Sequence, residues 1–404
     1  MKRAIVLSGG GAKGGYEIGV WKAFRRLGIN FDIVTGTSVG ALNGVLMVQN
    51  DFFKAYKLWS FMNYKKVIDI EIKGKYSTPR GRNEIISKYT KGVIKGGIEM
   101  NPLRSIVDKL WNENKFYNSK ISYGLVTTYF PSFKGKYVTK ENTSSLEFID
   151  YLMASAACFP AFKMKKIGKS NFIDGGYYDN MPINLAIKLG ATDVIAINLG
   201  AVGLNRKVVN KNVNIKIIKP RNNLGNFLAF EKSYAKMAIK FGYNDVLKEY
   251  NVLDGNIYTF KKNSLKRNYD RLGERFYSNY DSIRKNVILK RIFKNVKDSS
   301  KVDFLSEVLE KTMNAFLIDE SNIYRTSYAN TLIKRSFRKE NKRNYTSIKR
   351  MIKNDKLNKK FVSKDLICYI YNEMKKDKVK YSLFAMFPRA FLSALYLKTI
   401  FKEY

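Results

Sequence analysis

The first fifty residues repeat one plan: a short apolar run, a glycine-bearing turn, then a helical stripe. Ala4-Ile5-Val6-Leu7 breaks at Ser8-Gly9, and Tyr16 to Leu27 carries Val20, Phe24 and Leu27 on one face before Gly28 closes it. A second run, Phe31 to Thr35, leads through another glycine turn into a helical pattern over Ala41 to Val48. Gly124 to Phe130 and Val194 to Leu199 read as further buried strands. Strands alternating with helices imply an α/β fold, a mostly parallel sheet with helices on both faces.

After about residue 260 the pattern changes. Val302, Leu305, Leu309, Met313 and Phe316 recur at helical spacing. Lys334 to Lys360 is densely basic, and Tyr381 to Tyr404 is apolar and aromatic but interrupted by Pro388, Arg389 and Lys398. The expected division is an α/β domain over residues 1–260 and a basic, mainly helical domain over residues 261–404. Within the last segment Leu383, Phe387, Phe391, Leu395 and Ile400 share much of one helical face. Beside the basic stretch, that face suggests contact with an anionic membrane; the competing reading is a stripe buried as ordinary core.

Among the 404 residues there is no histidine, which removes Ser-His-Asp triads, histidine bases and histidine-ligated metals. Two cysteines, Cys158 and Cys368, form no disulfide framework and cannot alone build a zinc site. Acid–base chemistry must then run on carboxylates, Lys, Tyr, Cys or water. The net charge of +40 favours polyanions, either nucleic acid or an anionic membrane face, although many of the lysines serve equally as a solvated surface. No nucleic-acid motif accompanies the charge, so nucleic acid is not the expected partner. With four apolar residues before the first glycines and no apolar run of eighteen, neither a signal peptide nor a membrane span is expected. A cytoplasmic protein peripherally associated with membranes is the corresponding expectation.

Three glycine-marked pieces carry chemistry. Gly36-Thr37-Ser38-Val39-Gly40 fits G-x-S-x-G between a strand and a helix, a sharp turn in which Gly36 and Gly40 let Ser38 project. The loop Ser8 to Gly15 also satisfies G-x-G-x-x-G, but the acidic residue expected at the second strand's end is missing, as is a G-K-[ST]. Its stronger reading is an oxyanion hole built from the Gly9, Gly10 and Gly11 amides. Asp174-Gly175-Gly176 presents a carboxylate on a tight turn; alone it reads as readily as an Asx turn, and Asp179 stands five residues on.

The order of these pieces resembles the patatin-like phospholipase family. The likeness rests on Gly9-Gly10-Gly11-Ala12-Lys13-Gly14, on Gly36 to Gly40 and on Asp174-Gly175-Gly176. Secondary support comes from Ala154-Ser155-Ala156-Ala157, Pro160, Phe162, Asn180 and Pro182. It covers residues 3–200, with fainter echoes at Pro220, Leu224-Gly225 and Gly242-Tyr243, and lapses beyond about residue 260. The resemblance implies a three-layer α/β/α patatin-like core and a serine-dependent lipid acyl hydrolase of phospholipase A or lysophospholipase type. It implies Ser38 as nucleophile, Asp174 as base and the Gly9–Gly11 amides as oxyanion donors, with no cofactor and no metal. A phospholipid or other fatty-acyl ester is the implied substrate. The alternative is a basic nucleic-acid- or membrane-binding protein that keeps the fold without hydrolysis.

Overall fold

The computed structural model describes residues 1–210, 212–284, 300–340, 345–353, 362–376, 383 and 386–401. The chain forms two compact units, Met1–Glu249 and Tyr250–Tyr404.

The first unit is built on a mixed sheet. The order β5-β6-β3-β2-β1-β7-β8 places β1 (Arg3–Leu7), β2 (Ile33–Thr37) and β7 (Asp193–Ile197) near the middle. Here β3 is Ser122–Phe130, β5 is Lys165–Ile167, β6 is Ser170–Asp174 and β8 is Asn214–Ile218, while β4 (Gly135–Thr139) pairs with β3 off this path. The run β3-β2-β1-β7-β8 is parallel; β4, β5 and β6 join antiparallel. Every residue of β2 and β7 is buried, as expected of parallel strands covered on both faces. The covering helices include α1 (Gly15–Leu27), α2 (Val39–Val48), α3 (Phe52–Ser60), α4 (Pro79–Ile94), α5 (Asn101–Leu110), α6 (Glu113–Tyr117), α7 (Ser145–Ser155), α8 (Ile183–Lys188) and α9 (Lys232–Glu249). The sheet and its flanking helices make the α/β/α core, and β2 runs on to Thr37, directly against the serine turn.

The second unit is mainly helical. Helices Ser264–Arg284, Lys301–Ala315, Thr326–Glu340, Thr346–Lys353, Lys364–Lys375 and Pro388–Phe401 surround a core that includes Phe276, Leu309, Met313, Ile333 and Ile367. A small sheet of β9 (Leu253–Asp254), β10 (Thr259–Lys261) and β11 (Ile323–Tyr324) accompanies them. Of the expected stripe, Leu305, Leu309, Met313 and Phe316 are buried in this core, while Val302 at its start is only half-buried.

The stripe Leu383, Phe387, Phe391, Leu395 and Ile400 is buried in this same core. It is therefore not the open apolar face considered from the sequence. Tyr396, on the helix Pro388–Phe401, closes a buried hydrogen-bonded ring with Asn268 and Asn330 of two other helices: Asn268 Nδ2 donates to Tyr396 Oη at 3.1 Å, Tyr396 Oη to Asn330 Oδ1 at 2.8 Å, and Asn330 Nδ2 to Asn268 Oδ1 at 3.1 Å. Such a ring tolerates only one docking of that helix, since any shift would bury unsatisfied polar atoms. Within Lys334–Lys360, residues 341–344 and 354–360 lie outside the described residues. No helix among those described is long and apolar enough to cross a membrane.

Candidate active site

Ser38 is the single residue between β2 and α2. Its backbone, φ 57° and ψ −125°, lies in a region that side-chain-bearing residues rarely occupy. The flanking glycines allow this. A Cβ on Gly36 would stand 2.5 Å from the Gly40 carbonyl group, and one on Gly40 would stand 2.4 Å from Leu7 O. The turn is also fastened from below: Ser38 N–H donates to Ser155 Oγ at 2.9 Å, and Ser155 Oγ donates to Val126 O at 2.6 Å. Ser155, the last residue of α7, thus ties the elbow to β3.

Strand register brings the aspartate to the serine. Thr37 pairs with Val126, and Asp174 pairs with the next residue, Thr127. The ends of β2 and β6 therefore meet at neighbouring positions along β3. Asp174 N–H donates to Ala157 O at 2.9 Å, and Asp174 Oδ1 accepts from the Gly176 amide at 2.7 Å. Gly175 and Gly176 belong to the single 3-10 turn Gly175–Tyr177 that follows. Burial pushes the Asp174 carboxyl up to about 6, opposed by hydrogen bonds from the Ser38 hydroxyl and the Gly176 amide.

The glycine loop divides in two. Gly9 N–H donates to Asn180 O at 3.1 Å, so that amide is committed to the fold. The Gly10 and Gly11 amides donate to no group among the described residues. Gly11 has φ +54°, and a Cβ there would meet Phe227 O at 2.3 Å, so the chain turns where only glycine fits easily. The Lys13 ammonium lies 3.4 Å from Leu199 O and 3.3 Å from Gly200 O, pinning the loop to the segment after β7.

Ser38, Asp174 and Gly9 to Gly11 all line one cavity of about 560 Å³. Its walls are otherwise almost wholly apolar. Val39, Leu42 and Leu46 come from α2, Leu58 and Trp59 from α3, and Phe227, Leu228 and Phe230 from the segment before α9. Leu103, Ile106, Val107 and Leu110 of α5 all face it. That i, i+3, i+4, i+7 spacing was readable in the sequence as an amphipathic helix, but nothing local said that its stripe would line a cavity.

Asp179 is also buried, and burial pushes its carboxyl up to about 6. It faces elsewhere: Tyr137 Oη donates to it at 3.2 Å, the Arg206 amide approaches at 3.5 Å, and it does not line the cavity. Cys158 does line the cavity, with its thiol pushed up to about 12 by burial and by the Asp174 charge, so it holds its proton. No cluster of three or more Cys, Asp or Glu able to hold a metal ion occurs among the described residues.

The site is thus a serine on a strained strand-to-helix turn at the end of the parallel run of a mixed sheet, beside a buried carboxylate and open to an apolar cavity. Residues 5–187 match the model of the Patatin family, described as patatin-like phospholipase. Among curated relatives, "Lysophospholipase NTE1" of Mycosarcoma maydis is 25% identical over 218 residues, covering 50% of this chain and 10% of that protein. "Patatin-like phospholipase domain-containing protein 7" of Mus musculus is 28% identical over 207 residues, covering 49% of this chain and 14% of that protein. The match thus spans a small part of those longer proteins. The crystal structure of VipD from Legionella pneumophila aligns over 100% of this chain and 92% of that one, at 14% identity and a TM-score of 0.37.

Proposed function

We propose that the first unit is a serine-dependent lipid acyl hydrolase of phospholipase A or lysophospholipase type. The observation that carries this reading is the meeting of Ser38 and Asp174 at adjacent β3 register positions, both opening into an apolar cavity of about 560 Å³. An apolar cavity that ends at a strained serine suits a fatty-acyl chain whose ester carbonyl stops at the hydroxyl.

Asp174 accepts the Ser38 proton as Ser38 Oγ attacks the ester carbonyl. The Gly10 and Gly11 amides, free of other acceptors, hold the developing oxyanion, while Gly9 anchors the loop through Asn180. Collapse of the tetrahedral intermediate expels the alcohol, which takes the proton from Asp174. Water then attacks the acyl-enzyme with Asp174 again as base, the Ser38 Oγ–acyl bond breaks, Ser38 Oγ recovers the proton from Asp174, and the fatty acid leaves. A carboxylate raised to about 6 is a stronger base than an ordinary aspartate yet still ionised at neutral pH. The scheme uses no metal or cofactor, and the substrate presents itself at a membrane surface.

The test is hydrolysis of a panel of phospholipids, lysophospholipids and a water-soluble short-chain ester by wild type and Ser38→Ala. Fluorophosphonate labelling of Ser38 should accompany activity. Wild-type protein inert on every ester, or Ser38→Ala as active as wild type, would sink the proposal.

A further inference from the structure

The segment between β7 and β8 contributes Ala201, Val202, Gly203 and Leu204 to the cavity lining. It also carries apolar side chains into water: Val202 is 98% exposed and Leu204 59%. A single exposed valine needs no explanation. Two exposed apolar residues at the rim of an apolar cavity, on backbone that cannot fold them away, do.

The backbone is held firmly. Leu204 N–H donates to Gly176 O at 2.9 Å, and Asn180 N–H donates to Leu204 O at 2.6 Å. Arg206 Nε donates to Tyr178 O at 3.0 Å, with the guanidinium 3.8 Å from the Tyr178 ring centre. Every one of these ties runs to the turn that carries Asp174. The apolar apex is thus fixed relative to the catalytic aspartate.

Charge gives the face its partner. From Gly200 to Lys207 the loop carries two cations, Arg206 and Lys207, and no Asp/Glu, while Lys216 and Arg221 further along the chain pair with Glu249. Arg206 and Lys207 follow the apex directly, and both are exposed. Exposed apolar residues backed by cations and free of anions match an anionic bilayer, with acyl chains below and phosphates at the surface.

We propose that the loop Gly200–Lys207 is the membrane-docking element. Val202 and Leu204 enter the interfacial layer of an anionic bilayer while Arg206 and Lys207 meet the headgroup phosphates. Docking there sets the cavity rim against the lipid, so an acyl chain passes to Ser38 without crossing water. This rests on the lipid hydrolase reading above and adds where the membrane is met.

The experiment is co-sedimentation of the full chain with vesicles of phosphatidylcholine containing one-fifth phosphatidylglycerol, and with pure phosphatidylcholine vesicles. Wild type should bind the anionic vesicles better. Val202→Asp and Leu204→Asp should each weaken that binding by about tenfold or more. Val209→Asp is the control: Val209 is 85% exposed but tied through its amide to Asn184 and absent from the cavity lining, so binding should be unchanged. Val202→Trp guards against misfolding in the aspartate variants, since its added indole fluorescence should shift to the blue with anionic vesicles. Binding unchanged in Val202→Asp and Leu204→Asp, or equally weakened in Val209→Asp, overturns the proposal. So does a concentration-dependent dimer that Val202→Asp abolishes while vesicle binding persists, which would assign the face to a second copy. Because binding is read without turnover, hydrolysis of the water-soluble ester by wild type decides the hydrolase reading separately.

Discussion

Ser38 and Asp174 are costly residues to keep where they are. One sits in a strained backbone region, and the other is a carboxylate buried against its preference for water. Raising a carboxyl from the usual 3.8 to about 6 favours the folded state below its unfolded value, and that advantage is lost as pH rises through 6. At neutral pH the ionised Asp174 therefore burdens the fold, by on the order of 2–3 kcal/mol. Asp174→Asn should lower ester hydrolysis by about a thousandfold or more, yet melt at or above the wild-type temperature at pH 7. A marked loss of thermal stability would show that the carboxylate is structural. Ser38→Ala should be similarly inactive, and Asp179→Asn should retain much of the activity. The acid limb of kcat/KM on a soluble ester should rise through pH about 6 and survive in Asp179→Asn, whose own carboxyl titrates in the same range. If the limb vanishes with Asp179, the base has been misassigned. The glycine-flanked serine was legible in the sequence because its geometry is local. The separate duty of Gly9 was not, since it depends on the Asn180 carbonyl 171 residues away.

Between elements, the site rests on contacts that no sequence window contains. Glu17 of α1, Asn43 of α2 and Trp59 of α3 form a buried chain: Asn43 Nδ2 donates to Glu17 Oε2 at 2.8 Å, and Trp59 Nε1 donates to Asn43 Oδ1 at 2.8 Å. Asn43 and Trp59 line the cavity, so Glu17 holds two of its walls without touching it. Burial pushes the Glu17 carboxyl up to about 8, opposed by the Asn43 amide. Its contribution to stability is complete below the ordinary glutamate value near 4.5 and is lost as pH rises through 8. Wild type should therefore melt lower at pH 9 than at pH 5, and Glu17→Gln should flatten that difference. Each kcal/mol is worth about 2–4 °C in a unit of this size. An unchanged pH dependence of melting in Glu17→Gln would remove Glu17 from the account. The strands β1, β3 and β7 and helices α1 and α2 were visible as apolar periodicity. Strand β6 showed only as an apolar run ending at Ile173, and its antiparallel pairing with β3, which delivers Asp174, is a long-range register that periodicity does not encode. The C-terminal stripe left two readings open for a related reason: an amphipathic face looks the same whether lipid or protein covers it, and here five buried side chains answer for the reading as ordinary core.

At the scale of the molecule the question is what the second unit adds. The first unit holds Ser38, Asp174, the glycine loop and the whole cavity lining, and its last helix, α9, ends at Glu249. By sequence the first unit carries 39 Lys/Arg against 18 Asp/Glu and the second 35 against 16, so the +40 divides into +21 and +19. If membrane contact came from the general field alone, removing the second unit would strip away nearly half of the attraction wherever the contact lies. If contact is made by a fixed loop in the first unit, the truncated chain should keep it. Screening separates the two further, because the Debye length is about 8 Å at physiological salt and only charges close to the bilayer still act there. A chain of Met1–Glu249 should therefore unfold cooperatively and hydrolyse a soluble ester within about threefold of full length. It should also bind anionic vesicles at physiological salt in a manner abolished by Val202→Asp. Ending the chain near Asn330 is a poor alternative, because it cuts helix Thr326–Glu340 at a buried residue and removes Phe391, Leu395 and Ile400 from the second core. Folded but inactive Met1–Glu249 would mean that the second unit completes the catalytic site. Active protein that no longer binds vesicles would move the membrane contact to Tyr250–Tyr404, where basic side chains rather than the buried apolar stripe would have to make it.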